Sequence, residues 1–147
     1  MLWMRVQNYH YYQCLFDFGN GEKKDNILMA FPANENKLCI YVVDKYEKKH
    51  SQLISTSILE LNVNYHIALT YRNKEFEVYY DGKFVHKMTI DDEIKNTNRI
   101  SNYIGKNNWA SEDPYEGILD EFKIFDRVLS IDEINHEMNK KQPYFVL

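Results

Sequence analysis

Tyr65-His66-Ile67-Ala68-Leu69-Thr70-Tyr71 is followed by Glu75-Phe76-Glu77-Val78-Tyr79-Tyr80, then Asp81-Gly82, then Lys83-Phe84-Val85-His86-Lys87-Met88. The first run puts Tyr65, Ile67, Leu69 and Tyr71 on one face and His66, Ala68 and Thr70 on the other, the period of a strand. In the second, Phe76, Val78 and Tyr80 alternate with Glu75, Glu77 and Tyr79. Asp81-Gly82 supplies the positive φ of a tight hairpin turn, and the chain returns through Phe84, His86 and Met88.

Working outward, the same pattern predicts strands at Leu2–Val6, Tyr12–Phe18, Ile27–Phe31, Lys37–Val43, Gln52–Thr56, Ile100–Ile104 and Gly117–Phe125. Turn-forming stretches such as Gly19-Asn20-Gly21 and Asn34-Glu35-Asn36 separate them. About ten short strands at this spacing predict an all-β, two-sheet antiparallel sandwich. One short helix stands apart near the C-terminus. Ser130-Ile131-Asp132-Glu133 reads as a capping box, and Ile131, Ile134 and Met138 form its apolar stripe.

Composition sets the outer limits. A chain of 147 residues is one domain, 1–147, large enough to bury a core without staples. Its 12 Tyr, 8 Phe and 2 Trp favour strands. The net charge of -4 gives no electrostatic footprint for nucleic acid. Cys14 and Cys39 are too few for a disulfide framework or a zinc site and read as buried thiols. No apolar run reaches the roughly 18 residues of a spanning helix, which excludes membrane insertion by that route. The first residues lack the apolar core of a signal peptide, and localisation stays unknown.

Four stretches resemble the laminin-G-like group of the concanavalin A-like lectin/glucanase superfamily. Residues 65–71 are similar to its W-x-H-[VI]-A-x-T-Y strand, Val78–Lys83 to its Y-x-D-G-K hairpin, and Tyr103-Ile104-Gly105 to an I-G strand end. The longest match runs from Gly117 through Asp120, Glu121, Arg127 and Ser130 to Glu133-Ile134. With Leu15–Gly19 the similarity spans nearly the whole chain. It implies a concanavalin A-like jelly roll. Two departures stand out: the family's Trp falls at Asn64, and the usual first strand is missing ahead of Leu2-Trp3-Met4-Arg5. The second predicts an open sheet edge that invites a homo-oligomer or is covered by another segment of the chain, with the apolar tail Pro143–Leu147 expected to pack back on the sandwich or on a neighbouring subunit.

Candidate sites follow from residue chemistry. Asp120 and Glu121 point to opposite faces of a strand and cannot share a substrate atom; the resemblance implies a structural role for Asp120. Glu75 and Glu77 share a face roughly 7 Å apart, but the glucanase carboxylate pattern of the superfamily is absent, and no Ser-His-Asp or Cys-His arrangement exists. His66 reads as a structural histidine. The expectation is therefore a binding module, not an enzyme. The resemblance raises calcium as a cofactor, with Asp91-Asp92-Glu93 and Ser111-Glu112-Asp113 as oxygen-rich loops. The most site-like stretch is the loop Lys106–Glu116. Trp109 and Tyr115 would stack on sugar rings, while Asn107, Asn108, Glu112 and Asp113 would take hydroxyls. Tyr9-His10-Tyr11-Tyr12 is a second aromatic cluster. Two functions stay open: a carbohydrate-binding, lectin-like module whose partner is a glycan, and a protein-interaction or structural module of a larger surface or viral protein.

Overall fold

The computed structural model describes residues 1–32, 35–54 and 58–140. Two five-stranded antiparallel sheets face each other. The first has the order β10-β1-β6-β7-β8, with β1 (Leu2–Val6), β6 (Tyr65–Arg72), β7 (Glu75–Tyr80), β8 (Lys83–Thr89) and β10 (Gly117–Asp120). The second has the order β5-β4-β3-β2-β9, with β2 (Cys14–Gly19), β3 (Ile27–Ala30), β4 (Cys39–Val43), β5 (Lys49–Leu53) and β9 (Ser101–Ile104). The sandwich and its C-terminal helix α1 (Ile131–Asn139) are those the sequence predicts.

The alternation in the sequence becomes the core. Leu2, Met4 and Val6 from β1, Ile67 from β6, Phe76, Val78 and Tyr80 from β7, and Met29 and Ile40 from the facing sheet pack into one buried cluster. A bulge between Cys14 and Phe16 breaks the period in β2. Leu15 and Phe16 consequently both join the core, while Cys14 packs in a separate cluster with Leu28 and Ala30.

Several strand bounds differ from the predicted ones, and for three of them the cause is visible. β10 stops at Asp120 and not at Phe125, because Glu121 adopts a φ of 50° and donates its N–H to the Asp120 carboxylate at 2.8 Å. Asp120 thus does accept a loop hydrogen bond. β5 begins at Lys49, ahead of the predicted Gln52, because Asp44 organises the preceding turn. The Asp44 Oδ1 accepts from the N–H of Tyr46 and of Lys48 at 2.9 and 3.0 Å. Thr56, the predicted end of that strand, lies outside the described residues. Near the N-terminus β2 starts at Cys14 because Tyr12 takes a φ of 51°, which no strand accommodates.

β1 does not form an edge: it pairs with β6 on one side and with β10 on the other. The four sheet edges are β10, β8, β5 and β9. The tail Pro143–Leu147 lies outside the described residues.

α1 covers the outer face of the first sheet. Ile134 is fully buried there with Ala68, Tyr79 and Leu129, whereas Ile131, expected in the same stripe, is exposed. The capping box is formed: Ser130 Oγ accepts from Glu133 N at 3.2 Å and Glu133 Oε2 accepts from Ser130 N at 2.8 Å. Arg127 grips the same Glu133 carboxylate through two nitrogens. These partners lower the Glu133 pKa from 4.5 to about 2. A depressed folded pKa means that its stabilisation is present above about pH 4.5 and is lost as pH falls toward 2. Ser130→Ala should cost about 1 kcal/mol in thermal unfolding at neutral pH. The alanine keeps the backbone N–H that donates to the Glu133 carboxylate, so the acid window is read with Glu133→Gln: its destabilisation relative to wild type should shrink as pH falls toward 2, and a penalty that stays constant with pH would show that the Glu133 charge takes no part in the cap.

Candidate functional site

The outer face of the second sheet carries the candidate site. Antiparallel register lines up Asp17, Leu28, Tyr41 and Ser51 across β2, β3, β4 and β5. The next row is Cys14, Ala30, Cys39 and Leu53. From these rows Leu28, Tyr41, Ser51, Ala30 and Cys39 line a cavity of about 360 Å³. Leu28 and Ala30 supply its apolar base, and Tyr12, Lys23, Lys49, Trp109 and Glu112 complete its wall.

The loop 106–116 is fixed over this floor by a chain of hydrogen bonds. Its neck closes where Tyr115 N donates to Gly105 O at 2.8 Å and Gly105 N to Leu15 O at 2.9 Å. Asp17, fully buried at the end of the first row, accepts from both Asn108 N and Asn108 Nδ2 at 2.9 Å. Its other oxygen accepts from Asn26 Nδ2 at 2.9 Å. Burial lifts the Asp17 pKa, and these hydrogen bonds oppose the lift. Asn107 is buried; it accepts from Trp109 N at 2.9 Å and donates to Tyr12 O at 3.2 Å and to the Glu112 carboxylate. The result is a Trp109 ring held edge-on to Tyr41, with centroids 5.8 Å apart and an interplanar angle of 88°.

The six residues singled out in this loop therefore divide. Trp109 and Glu112 line the cavity. The side chains of Asn107 and Asn108 are committed within the fold and position the loop. Asp113 is exposed, its N–H donating to Tyr11 O. Tyr115 packs against the main core, its buried hydroxyl without a hydrogen-bond partner among the described residues. From the second aromatic cluster Tyr12 reaches the same cavity. Tyr9 instead stacks on Phe31 and donates to Leu59 O. The loop alone did not reveal Tyr41, Ser51, Lys49 and Lys23. One signal was available: Ile27-Leu28-Met29-Ala30-Phe31 is apolar on both faces, so its outer face has to be covered or occupied.

Both cysteines are free; Cys14 is buried as expected, whereas Cys39 is only half-buried, on the cavity floor.

The other candidate residues are engaged elsewhere. Glu75 pairs with Lys87 at 2.6 Å and Glu77 accepts from the Tyr79 hydroxyl at 2.6 Å, both on the first sheet. His66 is buried with its ring edge-on to Trp3, its Nδ1 without a hydrogen-bond partner among the described residues, and burial lowers its pKa to about 4. Calcium asks for six to eight oxygens, and the carboxylates of the first acidic loop have other partners. Asp91 pairs with Lys48, Asp92 lies near Lys45 and Lys74, and Glu93 takes the Tyr71 hydroxyl. Among the described residues no three His, Cys, Asp or Glu side chains form a metal cluster. A second cleft, of about 430 Å³, lies beside the segment 122–129. It is lined mainly by apolar side chains such as Phe18, Leu69 and Phe122, with Lys123, Asp126 and Arg127 also among its lining residues. No helix among the described residues is long and apolar enough to cross a membrane.

A laminin G family model, described as the concanavalin A-like lectin/glucanases superfamily, matches residues 1–135. The chain belongs to this family. No curated protein sequence matches the chain. Among solved structures it is similar to the Ruminococcus gnavus IT-sialidase CBM40 bound to α2,3 sialyllactose, with a TM-score of 0.74 and 16% identity over 92% of this chain and 78% of that one. It is also similar to domain 4 of AbnA, an extracellular arabinanase of Geobacillus stearothermophilus in complex with arabinotriose: TM-score 0.70 and 17% identity over 92% of this chain and 63% of that one. A third is the binding domain of Paraclostridial Mosquitocidal Protein 1, at TM-score 0.61 and 17% identity over 92% of this chain and 35% of that one. At these identities the likeness is one of fold.

Proposed function

We propose that the protein is a non-catalytic carbohydrate-binding module whose ligand lies in the Trp109–Tyr41 cavity. The observation that carries this reading is the cavity itself: an aromatic wall over an apolar floor, with Tyr12, Ser51, Lys49 and Glu112 as polar groups around it. Sugars present an apolar C–H face and a rim of hydroxyls, and the cavity offers one surface for each. Two of the similar structures are glycan complexes on the same fold, which supports the ligand class. The carboxylates of Glu75 and Glu77 lie away from this cavity, on the other sheet, where they pair with Lys87 and Tyr79.

A glycan array read with and without calcium tests the proposal, and binding is expected in both. Trp109→Ala should weaken it by roughly ten-fold or more, since an aromatic contact contributes about 0.5–1.5 kcal/mol beyond its area and tenfold is about 1.4 kcal/mol. The melting temperature should stay close to that of wild type. Affinity that survives the substitution would move the site elsewhere.

A second reading has its own observation. The edge strand β9 leaves Tyr103 and Ile104 exposed, and Ile100 beside it is 85% exposed. An exposed apolar edge is suited to pairing with another chain. A silent glycan array together with self-association that Ile104→Lys abolishes would favour this protein-interaction role.

A further inference from the structure

Glu112 differs from the other polar groups of the cavity. It is half-buried, and its Oε2 is held by Asn107 Nδ2 while its Oε1 has no hydrogen-bond partner among the described residues. It sits in the same wall as Trp109, three residues further along the loop, and its N–H reaches back to Trp109 O. A ring stacked on Trp109 would therefore lie within reach of this carboxyl group.

Resting on the carbohydrate reading above, we propose that Glu112 is the charge-selecting residue of the cavity. As a carboxylate it accepts hydroxyls of a neutral sugar and repels a sugar carboxylate; as a protonated acid it no longer repels one and can donate to it.

Three features place that change near neutrality. Burial raises the Glu112 pKa from 4.5 to about 7, and the nearby Asp17 and Glu22 add to the rise, against the hydrogen bond from Asn107. The thiols and phenols around it titrate above this window. From β2 and the turn before it, Cys14 and Tyr12 have pKa values pushed up from already alkaline ones. From β4, Cys39 and Tyr41 are raised as well. Two cations line the cavity: Lys23, which pairs with Glu22 at 2.9 Å, and Lys49 on β5. Asp17 stays tied to Asn26 and Asn108.

The sign follows from linkage. A neutral sugar that donates to the carboxylate binds the deprotonated form better, so its affinity rises as pH increases through about 7. A carboxylated sugar binds the protonated form better, so its affinity rises as pH falls. The ratio of the two affinities should shift by about ten-fold between pH 5.5 and 8.5, a separation of about 1.4 kcal/mol.

The test compares neutral oligosaccharides with sialylated and uronic-acid sugars at those two pH values, for wild type and Glu112→Gln. The expected result is a ratio that moves with pH in wild type and stays flat in the variant. Sugar binding with a pH-independent ratio in wild type would overturn this inference alone. A shift of equal size in Glu112→Gln would overturn it too, by assigning the titration to another group. Should Glu112→Gln unfold early, the wild-type ratio decides. Binding of neither class at either pH would overturn the carbohydrate reading and this inference together.

Discussion

Asp17→Ala is expected to lower the free energy of unfolding by about 3 kcal/mol and to abolish ligand binding with it. The carboxylate is fully buried and accepts three hydrogen bonds, one from Asn26 and two from Asn108. Asn26 Nδ2 keeps a second acceptor in Gly21 O and Asn108 Nδ2 keeps Ser101 O. Asn108 N has no such alternative, so the substitution strands a backbone donor as well as opening a void. Hydrogen bonds to a charged group contribute about 1.5–3 kcal/mol each, and the desolvation of Asp17 that is relieved offsets part of the loss. Asp17→Asn separates acceptor from charge. Its single carbonyl oxygen can serve Asn108 or Asn26 but not both, and its amide then faces a donor, so it should recover only part of the stability. Chemical denaturation of the three proteins checks the order. A wild-type midpoint for Asp17→Ala would mean that the Asn108 turn is held by something else.

The same residue shows where sequence reading succeeds and stops. Phe16-Asp17-Phe18 resembles a family strand, and the alternation of β6 and β7 predicts which side chains fill the core, because strand period and burial follow from local order alone. The cavity required knowledge that local order does not hold. Trp109 meets Tyr41 only because Asp17 on β2 holds Asn108, and because β3 and β4 lie beside β2 in a register that places Leu28 and Tyr41 in one row. Asn107 and Asn108 look like hydroxyl binders in sequence, since amides on an exposed loop suit sugars. In the structure they hold the loop in place, and Glu112 remains as its polar group facing the cavity. The early stop of β10 has a similar cause. Nothing in Gly117–Phe125 breaks a strand pattern, yet Asp120 captures the next N–H and turns the chain out of the sheet.

Gly117→Ala should destabilise the sandwich by about 2–3 kcal/mol, a fall in melting temperature on the order of 5–10 °C for a chain of this size. Gly117 pairs with Val6 where β10 joins β1. A Cβ there would stand 2.1 Å from Arg5 O and 2.8 Å from Tyr115 Cε1. Neither neighbour yields cheaply. Arg5 O belongs to the backbone of β1, which pairs with strands on both sides, and Tyr115 is packed against the main core. Gly21→Ala is the control. Its φ is +117°, but a Cβ there meets nothing within 4 Å, so only backbone strain remains, and the cost should stay near 1 kcal/mol. The clash at Gly117 should also reach the ligand site. Tyr115 closes the neck of the loop that carries Trp109, through its N–H to Gly105 O, so moving its ring to admit a methyl group displaces the cavity wall. Glycan affinity should therefore fall in Gly117→Ala even at temperatures where the variant is fully folded, and not in Gly21→Ala. Equal melting temperatures for the two variants would show that β10 slides to relieve the contact. Unchanged affinity in a destabilised Gly117→Ala would show that the loop is anchored by Asp17 and Asn108 alone.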